Sequence, residues 1–506
     1  MIYLVTAQLE LFKDEDYKVI TPQESFDIIK DWKIMQLDSE TKGVDARITP
    51  ILCLQLGNKK ADTQIVIDAT TIDIKMYKQY IESALIVGQN LYFDLQFLYS
   101  YGIICTNVYD TMIVEQLLYL GYPSVTVGGP SMGLAAIAER RLGIHIDKTV
   151  RGQIIWRGLD KSVILYAAND VKYLEDIMWH QVAECKNKQC LKAAKLECNF
   201  VPVLAYTSWC GIKLDVNKWS SKMQADLDKL NTTIKKLEEF VIKQGNSKFV
   251  KINLQGDLWE GFDTTPKCAF SWARPGIKSK KTPILEFIKY LGFDTKVVDK
   301  KTKEVKDSVD LKSLKKQKGV NDEFLELYVA YSEAYKVVTT YGITYINAIN
   351  PFTNRIHTSF KQIAADTGRI ACGNGDDDVD KLRINPDLAK LKGFPLKTND
   401  ITKKCGYPNI QTLPADEATR SSFICEKGNK FCSCDWSAIE SRLGADIYQE
   451  KAMIDEFLHG SGDMHSLVAK MVFKELKDVP VSDIKSLYPK LRSKAKPIEL
   501  SSEDSL

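Results

Sequence analysis

Apolar residues recur in two alternating rhythms over the first 190 positions. Short apolar runs at residues 34–37, 51–56 and 64–67, separated by turn residues, predict three consecutive strands in a meander. Residues 84–87 predict another buried strand. Residues 95–100, 111–120 and 134–142 carry helical spacing, and residues 161–183 predict one longer helix. Strands alternating with helices predict an α/β domain with a mixed sheet over residues 1–190.

Past Gly211 the rhythm changes. Trp219, Met223, Leu227, Leu230, Ile234, Leu237 and Val241 fall three or four apart, the seam of one long helix. Asp215 is its expected N-cap and Gly245 its stop. Residues 323–349 are again helical, with Tyr328, Tyr331, Tyr335 and Tyr341 placed as a core stripe. Residues 373–406 are poor in apolar side chains, hold Asp376, Asp377 and Asp378, and predict an inserted loop. Residues 430–434 predict a strand ending in Asp435, with a helical run from Ala438.

The length of 506 residues predicts three or four domains. Apolar residues make up 44% and charged residues 27%, which excludes a disordered or collagen-like chain. The 69 basic and 66 acidic residues leave a net charge of +3, which excludes a wholly electrostatic nucleic-acid binder. Charge is uneven, however: residues 274–318 hold 14 basic and 6 acidic side chains. Such a run is either a solvated face or a phosphate-contacting one. The 12 cysteines show no paired zinc spacing and read as reduced thiols. With no signal-peptide pattern and no apolar run of membrane-spanning length, the expectation is a cytoplasmic protein without a membrane partner.

Three pairs of residues carry chemistry. Asp38 and Glu40 close the first predicted strand two positions apart, so both carboxylates share a face. Asn90 and Asp94 follow. Asp94 sits among Leu91, Phe93, Leu95, Phe97 and Leu98, where a buried charge needs a partner. A bound cation or an N-cap role would supply one. Tyr166 and Asp170 lie four apart on a predicted helix and share a face.

The order Asp-x-Glu, Asn-x-x-x-Asp, Tyr-x-x-x-Asp, with Asp170 76 residues beyond Asp94, resembles the 3′–5′ proofreading exonucleases of the DEDD superfamily, in their tyrosine-bearing subclass. Asp110-Thr111 and Leu142-Gly143 before Asp147-Lys148 also fit. The resemblance implies a ribonuclease H-like domain in which Asp38, Glu40, Asp94 and Asp170 hold two Mg²⁺ or Mn²⁺ ions and Tyr166 orients the attacking water. Asn90 would contact DNA, and single-stranded DNA 3′ ends would be the substrate.

A second motif set follows: residues 347–360, Thr367-Gly368-Arg369-Ile370, Pro408 to Pro414, and Asp435-Trp436-Ser437-Ala438-Ile439-Glu440-Ser441-Arg442. Together they resemble family A DNA polymerases, bacteriophage members in particular. The resemblance implies a helical thumb (191–345), a partial α+β palm (346–460) and the start of the fingers (461–506). Asp435 would ligate catalytic metals. Glu440 would screen out a ribose 2′-hydroxyl. His465, Arg492 and Lys496 would face the dNTP, and Arg369, Asn409 and Gln411 the primer–template DNA. The family's second palm motif is not in the sequence, and no Tyr-Gly follows Leu500. The expectation is therefore a chain truncated within the fingers, without independent polymerisation. A stand-alone exonuclease acting on DNA or RNA, and a DNA-binding subunit completed by a separate chain, are the alternatives.

Overall fold

The structure, a computed structural model, describes residues 1–122, 129–147, 150, 158–252, 255–257, 261–263, 266–274, 279–298, 304–365, 367–373 and 408–495. Lys148, Lys496, Leu500 and the expected insertion at 374–407 lie outside the described residues. The chain divides into two compact units, Met1–Glu426 and Lys427–Leu506.

The first unit is built on a seven-stranded mixed sheet. In chain order its elements are β1 (Ile2–Val5), β2 (Lys18–Ile20), α1 (Pro22–Ile29), β3 (Ile34–Thr41), β4 (Ile51–Asn58), β5 (Thr63–Asp68), α2 (Lys78–Ser83), β6 (Leu85–Gly88), α3 (Leu91–Ser100), β7 (Val108–Asp110), α4 (Thr111–Leu118), α5 (Leu134–Leu142), α6 (Lys161–Lys172), α7 (Leu174–Asn187) and α8 (Leu191–Cys210). The strand order is β2-β1-β5-β4-β3-β6-β7. The β3–β4–β5 meander is antiparallel as expected, and β1, β2, β6 and β7 join it in parallel pairings. The α/β class therefore holds.

Three boundaries differ from the expectation. β3 does not stop at Leu37: it runs to Thr41, paired with β4 from Gln36 onward, so Asp38 and Glu40 lie inside the strand. α3 begins four residues early. Asp110 accepts the backbone N–H groups of Asn90 and Leu91 and so starts that helix. The single helix expected over 161–183 is two, because Gln36 Oε1 takes the Glu175 N–H at 2.9 Å, away from the helical ladder. β1, β2, α1 and α8 carry too short or too mixed a pattern to be foreseen.

Each sheet face has its own core. Leu37, Leu54, Leu56, Ile65 and Ile67 pack with Leu91, Leu95 and Leu98 of α3, and with Val201 and Ala205 of α8. On the opposite face Leu4, Cys53 and Val66 pack with Ile164, Ala167 and Ala168 of α6. The two alanines let α6 lie close on the strands. Glu115 on α4 is fully buried and takes both Arg140 and Arg141 of α5, with Gln181 of α7 donating at 2.8 Å.

The long helix forms as α9 (Val216–Lys243), with Asp215 accepting the N–H groups of Asn217 and Lys218, and Gly245 at φ 65° just past its end. Its seam buries Trp219, Leu230, Ile234, Leu237 and Val241 but leaves Met223 and Leu227 half-buried. It packs on the helix Asp322–Thr340, whose Tyr328 and Tyr331 enter an aromatic core with Phe240, Phe287 and Phe324; the helix expected to reach residue 349 stops at Thr340, and Tyr341 of the expected stripe packs instead with Trp219 and Tyr345. Within the Lys-rich stretch Lys296–Val298 pairs with Val305–Asp307, and Lys281–Tyr290 is helical.

A buried polar hub joins the sheet to the ladder Ile349–Asn350/Arg355–Ile356. Asp45 pairs with Arg47 at 2.7 Å and accepts from Asn350 Nδ2 at 3.0 Å. His357 Nδ1 lies 3.0 Å from the Ser208 carbonyl, which can only accept. Nδ1 therefore carries the proton, and Nε2 accepts from Thr353 Oγ1 at 2.7 Å. Gly211, at φ 62°, is required here, since a Cβ would sit 2.6 Å from His357 Nδ1. Burial and the nearby Arg47 charge push the imidazole down to about 4.

In the second unit the helices Ile439–Tyr448, Lys451–His459, Met464–Val472 and Val481–Leu487 are described, with Ala469, Leu476, Ile484 and Ala495 as a small core. The strand expected at 430–434 is not formed. Residues 429–436 pair with no described strand, and Phe431 and Trp436 are 59% and 81% exposed. A strand is stable only through its ladder and a buried face, and this segment has neither. No helix among the described residues is long and apolar enough to cross a membrane.

Two outcomes follow. Glu115→Ala leaves two arginines without their buried carboxylate, so unfolding stability should fall by about 3–5 kcal/mol, read as a lower urea midpoint. His357 resists protonation when folded, so the unfolded chain gains protons first as pH falls. Stability should be full above pH 6.5 and decline toward pH 4, by at most about 3 kcal/mol. Urea midpoints of wild type and His357→Gln at pH 7 and pH 5 measure this: the variant should show the smaller difference.

Candidate active site

β3 presents Asp38 opposite Gln55 and Glu40 opposite Cys53 of β4. The strand's two-residue period aims both carboxylates at one face. α6 crosses that face and brings Asp170, itself buried, so that one carboxylate oxygen from each of Asp38, Glu40 and Asp170 lies within 4.8 Å of the others. Among the described residues this is the one group of three or more His, Cys, Asp or Glu side chains gathered so closely. Tyr166 stands one turn before Asp170, also buried. Asp160 caps α6, accepting the Val163 N–H at 2.9 Å, and so anchors the turn that leads into Tyr166.

Asp94 stands outside that trio but inside its field. It lies in the first turn of α3 rather than capping it, and is 3% exposed. Burial pushes its carboxyl well above the usual range, and the charges of Asp38 and Glu40 push the same way. Ser39 Oγ donates to Asp94 Oδ1 at 2.5 Å. Asp110 supports the helix from below. Its carboxylate accepts from the N–H groups of Asn90, Leu91, Met112 and Ile113, and burial raises it to about 6 against the pull of these donors. Asn90 takes a left-handed φ of 61° and its side chain is exposed. The Cys53 thiol beside Glu40 is pushed well above its ordinary value by burial and by the Glu40, Asp38 and Asp68 charges, so it is inert.

The donors here are all oxygens, which suits hard divalent cations such as Mg²⁺ or Mn²⁺. Three carboxylates within 4.8 Å are a donor set that a cation fits.

The other expected site residues are placed less densely. Arg369, Asn409 and Gln411 are exposed in the first unit. Asn409 caps a short 3-10 turn by accepting from the Gln411 N–H, and Tyr341 and Tyr345 anchor that turn by donating to the Thr412 and Asn409 carbonyls. In the second unit Asp435 is exposed, and Glu440 is exposed in the first turn of Ile439–Tyr448. His465 is half-buried on Met464–Val472. Arg492 is held in a two-pronged pair with Asp463 at 2.8 and 2.9 Å. Burial works against the Asp463 charge, but the bonds from Arg492 and Ser466 hold its carboxyl below the usual range. Sequence reasoning passes over Ser39, whose signal was only its place between two ligand candidates on a strand. It takes Asp110 only as part of the family pattern, although a carboxylate before an apolar helix is an N-cap signal.

Comparison with known proteins agrees with the two motif sets. Residues 18–181 match the 3′–5′ exonuclease family model, and residues 403–501 match the DNA polymerase family A model. DNA polymerase I of Aquifex aeolicus (strain VF5) is 26% identical over 486 residues, a match spanning 90% of this chain and 68% of that protein. DNA polymerase I of Borreliella burgdorferi is 32% identical over 193 residues, spanning 38% of this chain and 17% of that protein. Among solved structures, the POL domain of Pol1 from M. smegmatis in complex with DNA primer-template and dNTP has the same fold. Its TM-score is 0.62 at 17% identity, covering 98% of this chain and 70% of that one. The carboxylate cluster on β3 and α6 lies within the exonuclease match, and the two domain matches, family A DNA polymerase and 3′–5′ exonuclease, indicate an enzyme of this kind.

Proposed function

We propose that the first unit removes nucleotides hydrolytically from the 3′ ends of DNA, with Asp38, Glu40, Asp94 and Asp170 as ligands for two divalent cations. The observation that carries this reading is the gathering of Asp38, Glu40 and Asp170 around one point, with Tyr166 one helical turn away. Divalent cations bound there would stabilise charge on both the attacking and the leaving oxygen of an in-line displacement at phosphorus. The chain's own residues do the rest. The carboxylates fix where the phosphate can sit. The Tyr166 hydroxyl orients the attacking water. Asn90, exposed beside α3, reaches the DNA strand.

The family A region extends the proposal to a primer–template duplex and a dNTP. Asp435 is read as a metal ligand and Glu440 as the residue that excludes a ribose 2′-hydroxyl. His465, Arg492 and Lys496 are read as nucleotide contacts, and Arg369, Asn409 and Gln411 as duplex contacts. In the geometry described, Arg492 is paired with Asp463 through Nε and Nη2. The bacteriophage affiliation rests on the motif pattern alone, since the relatives named above are bacterial.

The test is removal of 3′-terminal nucleotides from labelled single-stranded DNA and RNA, with Mg²⁺, with Mn²⁺, and with chelator. DNA should be the better substrate and chelator should abolish cleavage. Asp38→Ala with Glu40→Ala should lower the rate by about 10²–10³-fold, and Tyr166→Phe by about 10²-fold through lost alignment. Unaltered cleavage by the double variant would overturn the reading. Affinity for duplex DNA should fall as salt rises, less steeply once Lys312, Lys315 and Lys316 are made neutral.

A further inference from the structure

We propose that Ser39 is a positioning residue for the exonuclease site: its hydroxyl fixes the Asp94 carboxylate so that its other oxygen, Oδ2, faces the cation shared with Asp38. The inference rests on the function proposed above and adds a residue to it.

Strand alternation sets up the arrangement. Asp38 and Glu40 point to the α6 face of the sheet, so Ser39 between them points to the other face, where α3 lies. One three-residue stretch therefore supplies two ligands from one side and a clamp for a third from the other. Ser39 is 7% exposed and Asp94 3% exposed, so water does not compete for their bond. At 2.5 Å the hydroxyl holds Asp94 Oδ1 in close hydrogen-bond contact.

Asp94 needs such a clamp. Its neighbours Asp38 and Glu40 repel it, and an aspartate in the first turn of a helix has other side-chain orientations open to it. The backbone end of the problem is solved by Asp110, which pins the Asn90 and Leu91 N–H groups and so fixes where α3 starts. The side-chain end is solved by Ser39. Groups that orient metal ligands in this way change metal affinity or activity by about 10–100-fold when removed.

The test compares wild type with Ser39→Ala, Ser39→Thr and Ser39→Val in two measurements. Mn²⁺ binding without DNA is followed by electron paramagnetic resonance, and the exonuclease kcat and KM are measured on single-stranded DNA. Threonine keeps the hydroxyl, and valine keeps threonine's shape without it. Ala and Val should weaken one class of Mn²⁺ site about 10-fold and lower kcat about 10–100-fold with KM for DNA unchanged. Thr should restore both. Thermal unfolding of all four proteins identifies any variant that fails to fold, and the Thr–Val pair separates hydroxyl from packing in either case. If Val matches Thr, or if Ala binds Mn²⁺ and cleaves as wild type does, the role of Ser39 is wrong while the exonuclease reading stands. If wild type itself neither binds Mn²⁺ nor cleaves DNA, the functional reading fails and takes this inference with it.

Discussion

Carboxylates held a few ångströms apart repel one another, and no local preference of the chain would gather them. In the sheet unit the arrangement is imposed by covalent geometry and packing. Asp38 and Glu40 cannot separate, because they belong to one strand whose register with β4 is set at both residues. Asp170 cannot withdraw, because α6 is held to the sheet by Ile164, Ala167 and Ala168. The apolar burial on that face opposes the electrostatic cost, and the result is a site whose charge a cation satisfies. Most of the surrounding structure can be understood as support for that enforced proximity.

The support is layered. Ser39 and Asp110 are both buried, and each acts on α3 at a different level, side chain and backbone. Farther out, Glu115 ties α4, which Asp110 caps, to α5 and α7 through Arg140, Arg141 and Gln181. Asp94, Asp110 and Glu115 are each met by a hydrogen-bond or ion-pair partner, so the cost of each is spread over several elements. This accounts for the otherwise expensive number of ionisable side chains inside the first unit.

The parts of the site that were legible in the sequence are those that local periodicity dictates. Asp38 with Glu40 is a strand pair and Tyr166 with Asp170 a helix pair, so each pair's shared face follows from spacing alone. That the pairs meet is a long-range fact, and spacing could not supply it; the family pattern did. α9 was legible for the same local reason, its cap, seam and terminal glycine all lying within 31 residues. Asp435 was the opposite case. Its expected strand would be made by neighbours distant in sequence, and the five residues from Lys430 to Cys434 say nothing about whether such neighbours pair with them. The break at Tyr173 was hidden for a related reason: a single hydrogen bond donated by the Glu175 N–H to Gln36 Oε1, 139 residues away, diverts the backbone there.

The polar hub around Ser208 and His357 extends this logic to the sequence beyond the sheet. The β3–β4 connection that follows Glu40 carries Asp45 and Arg47, and α3 carries Tyr92 two residues before Asp94. Asp45 takes Asn350, Arg47 and Tyr92 both reach Ser208, and the Tyr92 hydroxyl accepts the Phe360 N–H at 3.0 Å. The loop after one candidate ligand and the helix bearing another therefore share buried partners with residues 350–360, ahead of the Arg369 segment. Because those partners are desolvated and mutually satisfied, they have few alternative arrangements of similar energy. A displacement of residues 350–360 would break several bonds at once rather than bend them. The loop after one candidate ligand and the helix bearing another are thus tied to residues 350–360 through these hydrogen bonds.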